Sequence, residues 1–224
     1  MFACAWIGVN FKGGGKGGRP VSKTRLEAFT DAVIAIIMTI LVLDFVVPAE
    51  PTFAALWKMR FKFLIYILSF ISLAIYWNNH HHLLQISKKI NGRVLWHNMA
   101  FILCLSFFPF TTAWVDEHLF DMAPEITYGV VILLADISYA ALARALVKVN
   151  GEDSGVARAL CGFRKSKITF LIVGAGLAAG IFFPVAVVVS IALSLVLWFM
   201  PDKRIERTLF GEDVSCGTPG KKAR

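Results

Sequence analysis

The 224-residue chain is long enough for one or two soluble domains, but its composition excludes most soluble folds. Hydrophobic residues make up 57% of it and charged residues 17%, and the mean hydropathy is +0.67, which indicates an all-α polytopic membrane protein. The net charge of +8 does not indicate nucleic-acid binding, because the lysines and arginines fall between apolar runs and at the termini. The expected surroundings are a lipid bilayer, with no nucleic acid.

The N-terminal stretch combines a short apolar patch with the glycine-rich run 13–18. This composition is typical of a flexible linker, and the run lacks the Gly-Lys-Ser/Thr ending of a phosphate-binding loop. A secretory signal is disfavoured because the basic residues follow the apolar patch. We expect residues 1–23 to form a flexible basic cytoplasmic arm, residues 24–201 a six-helix transmembrane domain, and residues 202–224 a basic cytoplasmic tail.

The first membrane-length segment is predicted to begin near Thr24 and to end at Pro48. Thr24 and Glu27 have capping-box spacing, which satisfies backbone N–H groups of the first helical turn. From Leu26 to Val47 the run is about twenty residues, enough to cross roughly 30 Å of hydrocarbon. The sequence therefore predicts a transmembrane helix here.

Asp31 lies inside this segment. An ionised carboxylate there costs several kcal/mol unless it is paired or hydrated, so Asp31 is expected to face protein or water and to have a structural role. Arg25 is the nearest cation in sequence, and a pairing between the two could cross helices or subunits.

The same segment carries an apolar stripe whose members recur at alternating steps of four and three residues. Asp31 projects well off this stripe. Such a stripe either meets its own copies in an oligomer or forms a packing seam inside one subunit, and periodicity leaves both interpretations open. The stripe consists of Phe29, Val33, Ile36, Ile40, Leu43 and Val47.

Later apolar segments predict five more spans. The last block is too long for one helix and is expected to form two short helices joined around Pro184. Gly176 and Gly180 form a small-xxx-small site where another helix can approach closely. A kink is expected at Pro109. The segments are residues 61–77, 94–114, 126–146 and 168–200.

Charged residues between the spans predict the orientation. Basic connections alternate with one acidic loop after the third span, so the positive-inside rule places both termini in the cytoplasm. The basic residues at 58, 60 and 62 disagree with this alternation, and we interpret them as interface anchors. The acidic loop contains Asp116, Glu117, Asp121 and Glu125.

Polar residues within the spans favour hydrogen bonding over metal binding or catalysis. Adjacent histidines at 80–82 point about 100° apart on a helix, so a hydrogen-bonding cluster at a helix end is preferred to a metal site. Trp77 and His81 share a face, and Asn98, Thr111 and Thr112 are expected to form interhelical hydrogen bonds. We expect four free thiols, no cofactor, no metal and no enzyme. The cysteines are Cys4, Cys104, Cys161 and Cys216.

Three motifs, taken in order, resemble the prokaryotic branch of the transmembrane protein 175 family, relatives of the lysosomal potassium channel. The resemblance spans the first three helices, while the later helices match only in number and hydrophobicity. The first motif usually has serine where this chain has Thr30, which keeps the hydroxyl. The motifs are Arg25-xxx-Phe29-Thr30-Asp31, then Tyr76-Trp77-Asn78-Asn79-His80-His81, then Asn98 with Pro109-Phe110-Thr111.

The resemblance implies a homotetramer of six-helix subunits whose first helix lines a central pore. The pore is expected to select potassium without a carbonyl filter, and this chain has no Thr-Val-Gly-Tyr-Gly sequence. Carried over by position, Ile36, Ile40 and Leu43 form a hydrophobic constriction and Thr39 offers hydroxyls within it. A network that supports the pore helix is expected to include Arg25, Phe29, Thr30, Asp31, Trp77, His80 and His81.

The resulting expectation is a potassium-selective channel in a prokaryotic plasma membrane, conducting passively. One alternative is a secondary transporter or proton-coupled carrier that uses Asp31 and the histidines, although inverted repeats and broken midplane helices are not found. A metal-dependent membrane enzyme is another, and it would need a second ligand cluster beside the histidines.

Overall fold

The computed structural model describes residues 22–152, 154–160 and 164–199, and the fold of this part of the chain is all α-helical, as predicted. The expected tail, all but the last two residues of the expected arm, and every cysteine except Cys104 lie outside the described residues; Cys104 is a free thiol. The helices are α1 (Lys23–Leu43), α2 (Phe53–Lys58), α3 (Arg60–Ile86), α4 (Gly92–Ser106), α5 (Phe108–Glu117), α6 (Met122–Asn150), α7 (Gly155–Ala159), α8 (Arg164–Gly180) and α9 (Ala186–Phe199).

Four helical stretches are long and apolar enough to cross a membrane. They are α1, α3, α4 together with α5, and α6. The apolar parts of α8 and α9 are shorter, at Ile168–Gly180 and Ala186–Trp198. These four stretches establish a membrane protein, and the two short helices correspond to the block that was expected to divide around Pro184.

The predicted start of α1 is confirmed to within one residue, whereas its capping residue and its C-terminal end are wrong. Ser22, not Thr24, caps the helix, and its hydroxyl accepts a hydrogen bond from the backbone N–H of Arg25 at 3.3 Å. The helix ends at Leu43 instead of Val47. Phe45 is the reason, because its ring packs on two aromatic rings of α3 at centroid distances of 4.8 and 5.2 Å and so draws the chain off the helical path.

The second span is longer than predicted, and two short helices were not predicted. Helix α3 continues to Ile86, so the three histidines lie inside it and not at its end. Hydropathy alone ended the span at residue 77 because polar residues follow. Two of them, His80 and His81, contact Asn98 of α4 and Glu27 of α1. Helices α2 and α7 are only six and five residues long, below the length that periodicity detects.

The expected kink and the expected close helix contact are both present. The third span breaks at Phe107, and Pro109 lies in the first turn of α5, where its missing N–H costs nothing. In the last hairpin, α8 and α9 pack at Gly176 and Gly180, where an added Cβ would overlap side chains of α9. Gly129 of α6 faces the same hairpin, since a Cβ there would lie 2.6 Å from Val187 and 2.7 Å from a leucine methyl of α8.

The bundle has a basic end and an acidic end. At the basic end, the ammonium group of Lys23 donates to the carbonyl of Gln85 at 3.0 Å. At the acidic end, the ammonium group of Lys62 lies 3.2 Å from Asp116 and 3.7 Å from Glu117. These ion pairs explain one of the basic residues that disagreed with the charge alternation, because Lys62 pairs with two carboxylates at the end of α5.

Candidate pore helix and its supporting network

Helix α1 has two apolar faces, of which only one packs against the described residues of its own subunit. The inward face contacts α3, α4 and α5. The outward face holds Phe29, Ile36 and Leu43, exposed by 50%, 58% and 77%, together with Ile40. Within the described residues the stripe is therefore mostly unpacked, which favours a contact with other copies over a seam inside one subunit, although Val33 packs against the core. The inward face consists of Leu26, Thr30, Ile34, Ile37 and Leu41.

Thr39 lies on the outward face of α1. Its hydroxyl donates to the backbone carbonyl of Ile36 at 2.8 Å, one turn back along the helix. Since the single hydroxyl proton is used in this bond, the oxygen presents lone pairs to its surroundings. A ring of such oxygens would attract cations.

A buried chain of hydrogen bonds joins α1, α4 and α3. The amide nitrogen of Asn98 donates to the hydroxyl oxygen of Thr30 at 2.8 Å, and the amide oxygen of Asn98 lies 2.8 Å from Nε2 of His80. All three side chains are fully buried. They tie α1 to its two neighbours through polar groups that water cannot reach.

The donor and acceptor roles along these hydrogen bonds follow from Thr30. Its hydroxyl donates to the carbonyl of Leu26 at 2.9 Å, so it can only accept from Asn98. The amide of Asn98 must then present its oxygen to His80, which fixes Nε2 of His80 as a donor. The ring of His80 also stacks on Phe101 with centroids 5.8 Å apart, so it is held on two sides.

A second row of polar contacts lies nearer the surface. The indole N–H of Trp77 donates to the Asp31 carboxylate at 2.9 Å, and the Trp77 ring stacks on His81 with centroids 5.7 Å apart. Nδ1 of His81 lies 3.2 Å from the carboxylate of Glu27, and its Nε2 lies 2.8 Å from the side chain of Gln85. The expected indole–imidazole contact is thus observed, and Asp31 is held by α3.

The structure does not bring every expected member into this network. Arg25 and Phe29 are exposed, and within residues 22–152 Arg25 makes no ion pair with Asp31. Glu27, which the sequence assigned to a helix cap, faces His81 instead. The sequence could have indicated this contact, because Glu27 is four residues from Asp31. At that spacing both carboxylates lie on the face of α1 that meets α3.

Asn98 and Thr112 form interhelical hydrogen bonds as predicted, whereas Thr111 does not. The Thr112 hydroxyl donates to Ser69 at 2.8 Å, which in turn bonds the Tyr128 hydroxyl. The Thr111 hydroxyl bonds carbonyls of its own helix. Over the described ranges, no group of three His, Cys, Asp or Glu side chains is placed to hold a metal ion.

Comparison with known proteins gives one family. Residues 25–109 match the family described as "Endosomal/lysosomal potassium channel TMEM175". A protein of Chryseobacterium sp. (strain P1-3) named as a potassium channel is 40% identical over 189 residues, which is 84% of this chain and 98% of the relative. One of Streptomyces collinus with the same description is 29% identical, covering 53% of this chain and 61% of that protein.

Two further similarities extend this result. A protein of Danio rerio named "Endosomal/lysosomal proton channel TMEM175" is 25% identical over 137 residues. The aligned region covers 58% of this chain and 25% of the Danio rerio protein. The crystal structure of a lysosomal potassium-selective channel homologue from Chamaesiphon minutus has a TM-score of 0.69 at 21% identity, covering 79% of this chain and 96% of that one. At that identity the structural match establishes the fold.

Proposed function

Because the chain belongs to the transmembrane protein 175 family, we propose that it is a potassium-selective channel that conducts passively across a membrane. The observation that carries the proposal is the outward apolar face of α1, which residues 22–152, 154–160 and 164–199 leave uncovered. The potassium-channel description of the Chryseobacterium relative, which this chain covers almost completely, supports the choice of ion.

In the proposed assembly, four chains arrange their α1 helices around a central pore, and α8 and α9 complete six membrane helices per subunit. Ile36, Ile40 and Leu43 form the constriction, because a narrow apolar ring blocks ions by dewetting. Thr39, within the same stretch, directs its oxygen lone pairs to the ion path. The outward position of all four side chains supports this arrangement.

The two polar rows behind α1 are proposed to hold the pore helix in register. Thr30, Asp31, Trp77, His80 and His81 act through contacts seen within one chain. Arg25 and Phe29 are proposed to act at the contact between subunits, since both are exposed on the isolated chain.

The basic end of the bundle is proposed to face the cytoplasm, with both termini there and the acidic end outside. This orientation is supported by the ion pairs of Lys62, which bring the acidic residues of the loop to one end. The membrane is proposed to be a prokaryotic plasma membrane.

The proposal is tested with purified protein in liposomes. Opposed potassium and sodium gradients should give a reversal potential near that of potassium, and current should require no added energy source. Protein-free liposomes and protein inactivated by heat are the controls. A reversal potential that follows chloride, or transport that needs a co-substrate gradient, would overturn the proposal.

Proton conduction is a second candidate, favoured by the description of the Danio rerio relative as a proton channel. The same liposomes, loaded with a pH-sensitive dye and clamped with valinomycin, separate the two candidates. Proton flux in symmetric potassium would support the second one. An unchanged dye signal across an imposed pH gradient would reject it.

A further inference from the structure

The short helix α2 lies on the connection between two membrane-length helices. Helix α1 ends at Leu43 and α3 begins at Arg60, and both of these ends lie at the acidic end of the bundle. Phe45 follows α1 and packs on two aromatic rings of α3, which keeps the start of the connection against the bundle. Two membrane spans therefore hold α2 close to the boundary between the hydrocarbon and the headgroups of a bilayer.

Helix α2 has an apolar face that the described part of the chain leaves uncovered, since none of its residues is buried. Phe53 and Trp57 are exposed by 91% and 70%, and Leu56 by 43%. At about 100° per residue these three side chains project from one face, while Ala54 and Lys58 point away from it. An apolar face with aromatic rings is typical of a helix that lies in the interface of a membrane, with that face toward the acyl chains.

Arg60 lies beside this apolar face without a carboxylate partner. Its guanidinium group donates to the backbone carbonyl of Trp57 at 3.3 Å, and it lies 5.9 Å from the ring centroid of Trp57 and 4.5 Å from that of Phe61. In the part of the chain that the structure describes, Arg60 makes no ion pair, and the two carboxylates at the end of α5 face Lys62 instead. The positive charge and the remaining N–H donors of Arg60 are therefore available to a ligand.

A phospholipid matches both the apolar face and the charge beside it. Its phosphate oxygens accept from a guanidinium group with favourable geometry, and its acyl chains begin next to the phosphate. One class of molecule can thus pair with Arg60 and cover the aromatic rings, at the height where two spans hold α2. We propose that α2 lies in the plane of the membrane surface, with Phe53, Leu56 and Trp57 among acyl chains and Arg60 paired with a phospholipid phosphate.

The position of α2 is tested with nitroxide labels on full-length protein whose native cysteines are replaced by serine, in phosphatidylcholine vesicles. Phe53→Cys and Leu56→Cys carry labels on the apolar face, and Ala54→Cys and Lys58→Cys are the matched controls on the other side. Power saturation compares collision with oxygen, which concentrates in hydrocarbon, and with a nickel chelate, which stays in water. Labels at 53 and 56 should favour oxygen, and labels at 54 and 58 should favour nickel.

The phosphate contact is tested with Arg60→Gln. In phosphatidylcholine the oxygen-to-nickel ratio at Phe53→Cys should fall at least about twofold, because α2 loses its attraction to the headgroups. In vesicles of digalactosyldiacylglycerol, which has no phosphate, the same substitution should have no effect. Lys62→Gln is the control, since Lys62 pairs with carboxylates, and it should leave the ratio unchanged in both lipids. If Arg60→Gln does not assemble, a higher ratio in phosphatidylcholine than in the galactolipid, measured with Arg60 present, supports the contact.

Four results would overturn the proposal. Equal ratios at all four labels would show that α2 does not lie at the membrane surface. Shielding of labels 53 and 56 from both reagents would show that a second copy of the chain covers them. An equal fall in both lipids on Arg60→Gln would limit Arg60 to supporting α2 through Trp57, and no fall in either lipid would exclude the phosphate contact. The proposal does not depend on potassium conduction, so the liposome current leaves it unaffected.

Discussion

Adjacent residues on α1 have opposite surroundings. Ile36 is 58% exposed, and Ile37 beside it is 4% exposed. Both are isoleucines, so hydropathy assigns them the same environment, and only the packing of α1 on α3, α4 and α5 separates them. Substitutions at the two positions should therefore change different properties of the protein.

Ile36→Asn should raise potassium current, because its amide can hydrogen-bond water where the native side chain cannot. Ile37→Ala is the matched control: it should cost about 2–4 kcal/mol of stability and leave the current of each assembled channel unchanged. The measurement is current in liposomes, normalised to the amount of reconstituted protein. Unchanged current in Ile36→Asn would remove Ile36 from the pore.

Thr39→Val should change the preference between potassium and sodium while nearly preserving pore width, because it replaces only the hydroxyl by a methyl group. Reversal potentials in opposed gradients measure the preference. Thr127→Val on α6 serves as the control, since the Thr127 hydroxyl likewise bonds its own helix. Equal effects of the two substitutions would mean that the Thr39 oxygen does not face the ions.

Trp77→Phe removes the N–H that Asp31 accepts, so it should lower assembly stability by about 1–3 kcal/mol without changing selectivity. Asp31→Ala should do the same, and the double substitution should cost less than the sum of the two. Size-exclusion chromatography after heating measures assembly. Trp96→Phe, at an exposed tryptophan, is the control. Normal assembly of Asp31→Ala with lost potassium preference would instead place Asp31 in the pore.

At the scale of helices, sequence patterns predicted the spans well and their ends poorly. The apolar runs located α1, α3, α6 and the divided last block, because a membrane demands uninterrupted hydrophobic length. Helix ends depend on tertiary contacts that no local pattern contains. Phe45 ends α1 by docking on α3, and the polar turn with His80 extends α3 by bonding to α4.

The supporting network was predicted in part. The resemblance assigned Thr30 and His80 to one network, but it did not assign the asparagine that joins them, which was expected only to bond across helices. Sequence patterns missed Glu27 and Gln85, which both contact His81. Glu27 lies on a different helix from His81, and Gln85 lies one turn further along α3. The resemblance identified most of the residues, but their pairing depends on contacts between helices that no sequence motif specifies.

Asn150, at the end of α6, holds the connection between α3 and α4. Its side-chain oxygen accepts from the backbone N–H groups of Lys88 and Lys89, both at 2.9 Å, and its nitrogen donates to Ser87, Lys89 and Leu146. Asn150→Ala should cost about 2–4 kcal/mol and expose residues 87–91 to proteolysis. Limited proteolysis with mass spectrometry measures this, and Asn78→Ala, on an exposed asparagine, is the control. Unchanged cleavage would show that this connection is held by other contacts.

At the scale of the whole molecule, the separation of charge between the two ends predicts the orientation. Asp121 lies at the acidic end, so a cysteine placed there in a chain whose native cysteines are replaced by serine should react with an impermeant maleimide only from outside the cell. A cysteine at Lys89 should react only after permeabilisation. Labelling of Asp121→Cys solely from the cytoplasmic side would invert the topology.

The hydrogen-bonded chain through Thr30 limits how α1 can move. Rotation of α1 about its own axis would separate Thr30 from Asn98 and leave buried donors and acceptors unpaired, at about 1–3 kcal/mol for each group. Beyond Thr30 the inward contacts of α1 are made by Ile34, Ile37 and Leu41, which can slide without losing a hydrogen bond. In the proposed pore, widening of the constriction therefore costs least as an outward bend of the half of α1 toward the acidic end, with the half that carries Thr30 fixed as its pivot.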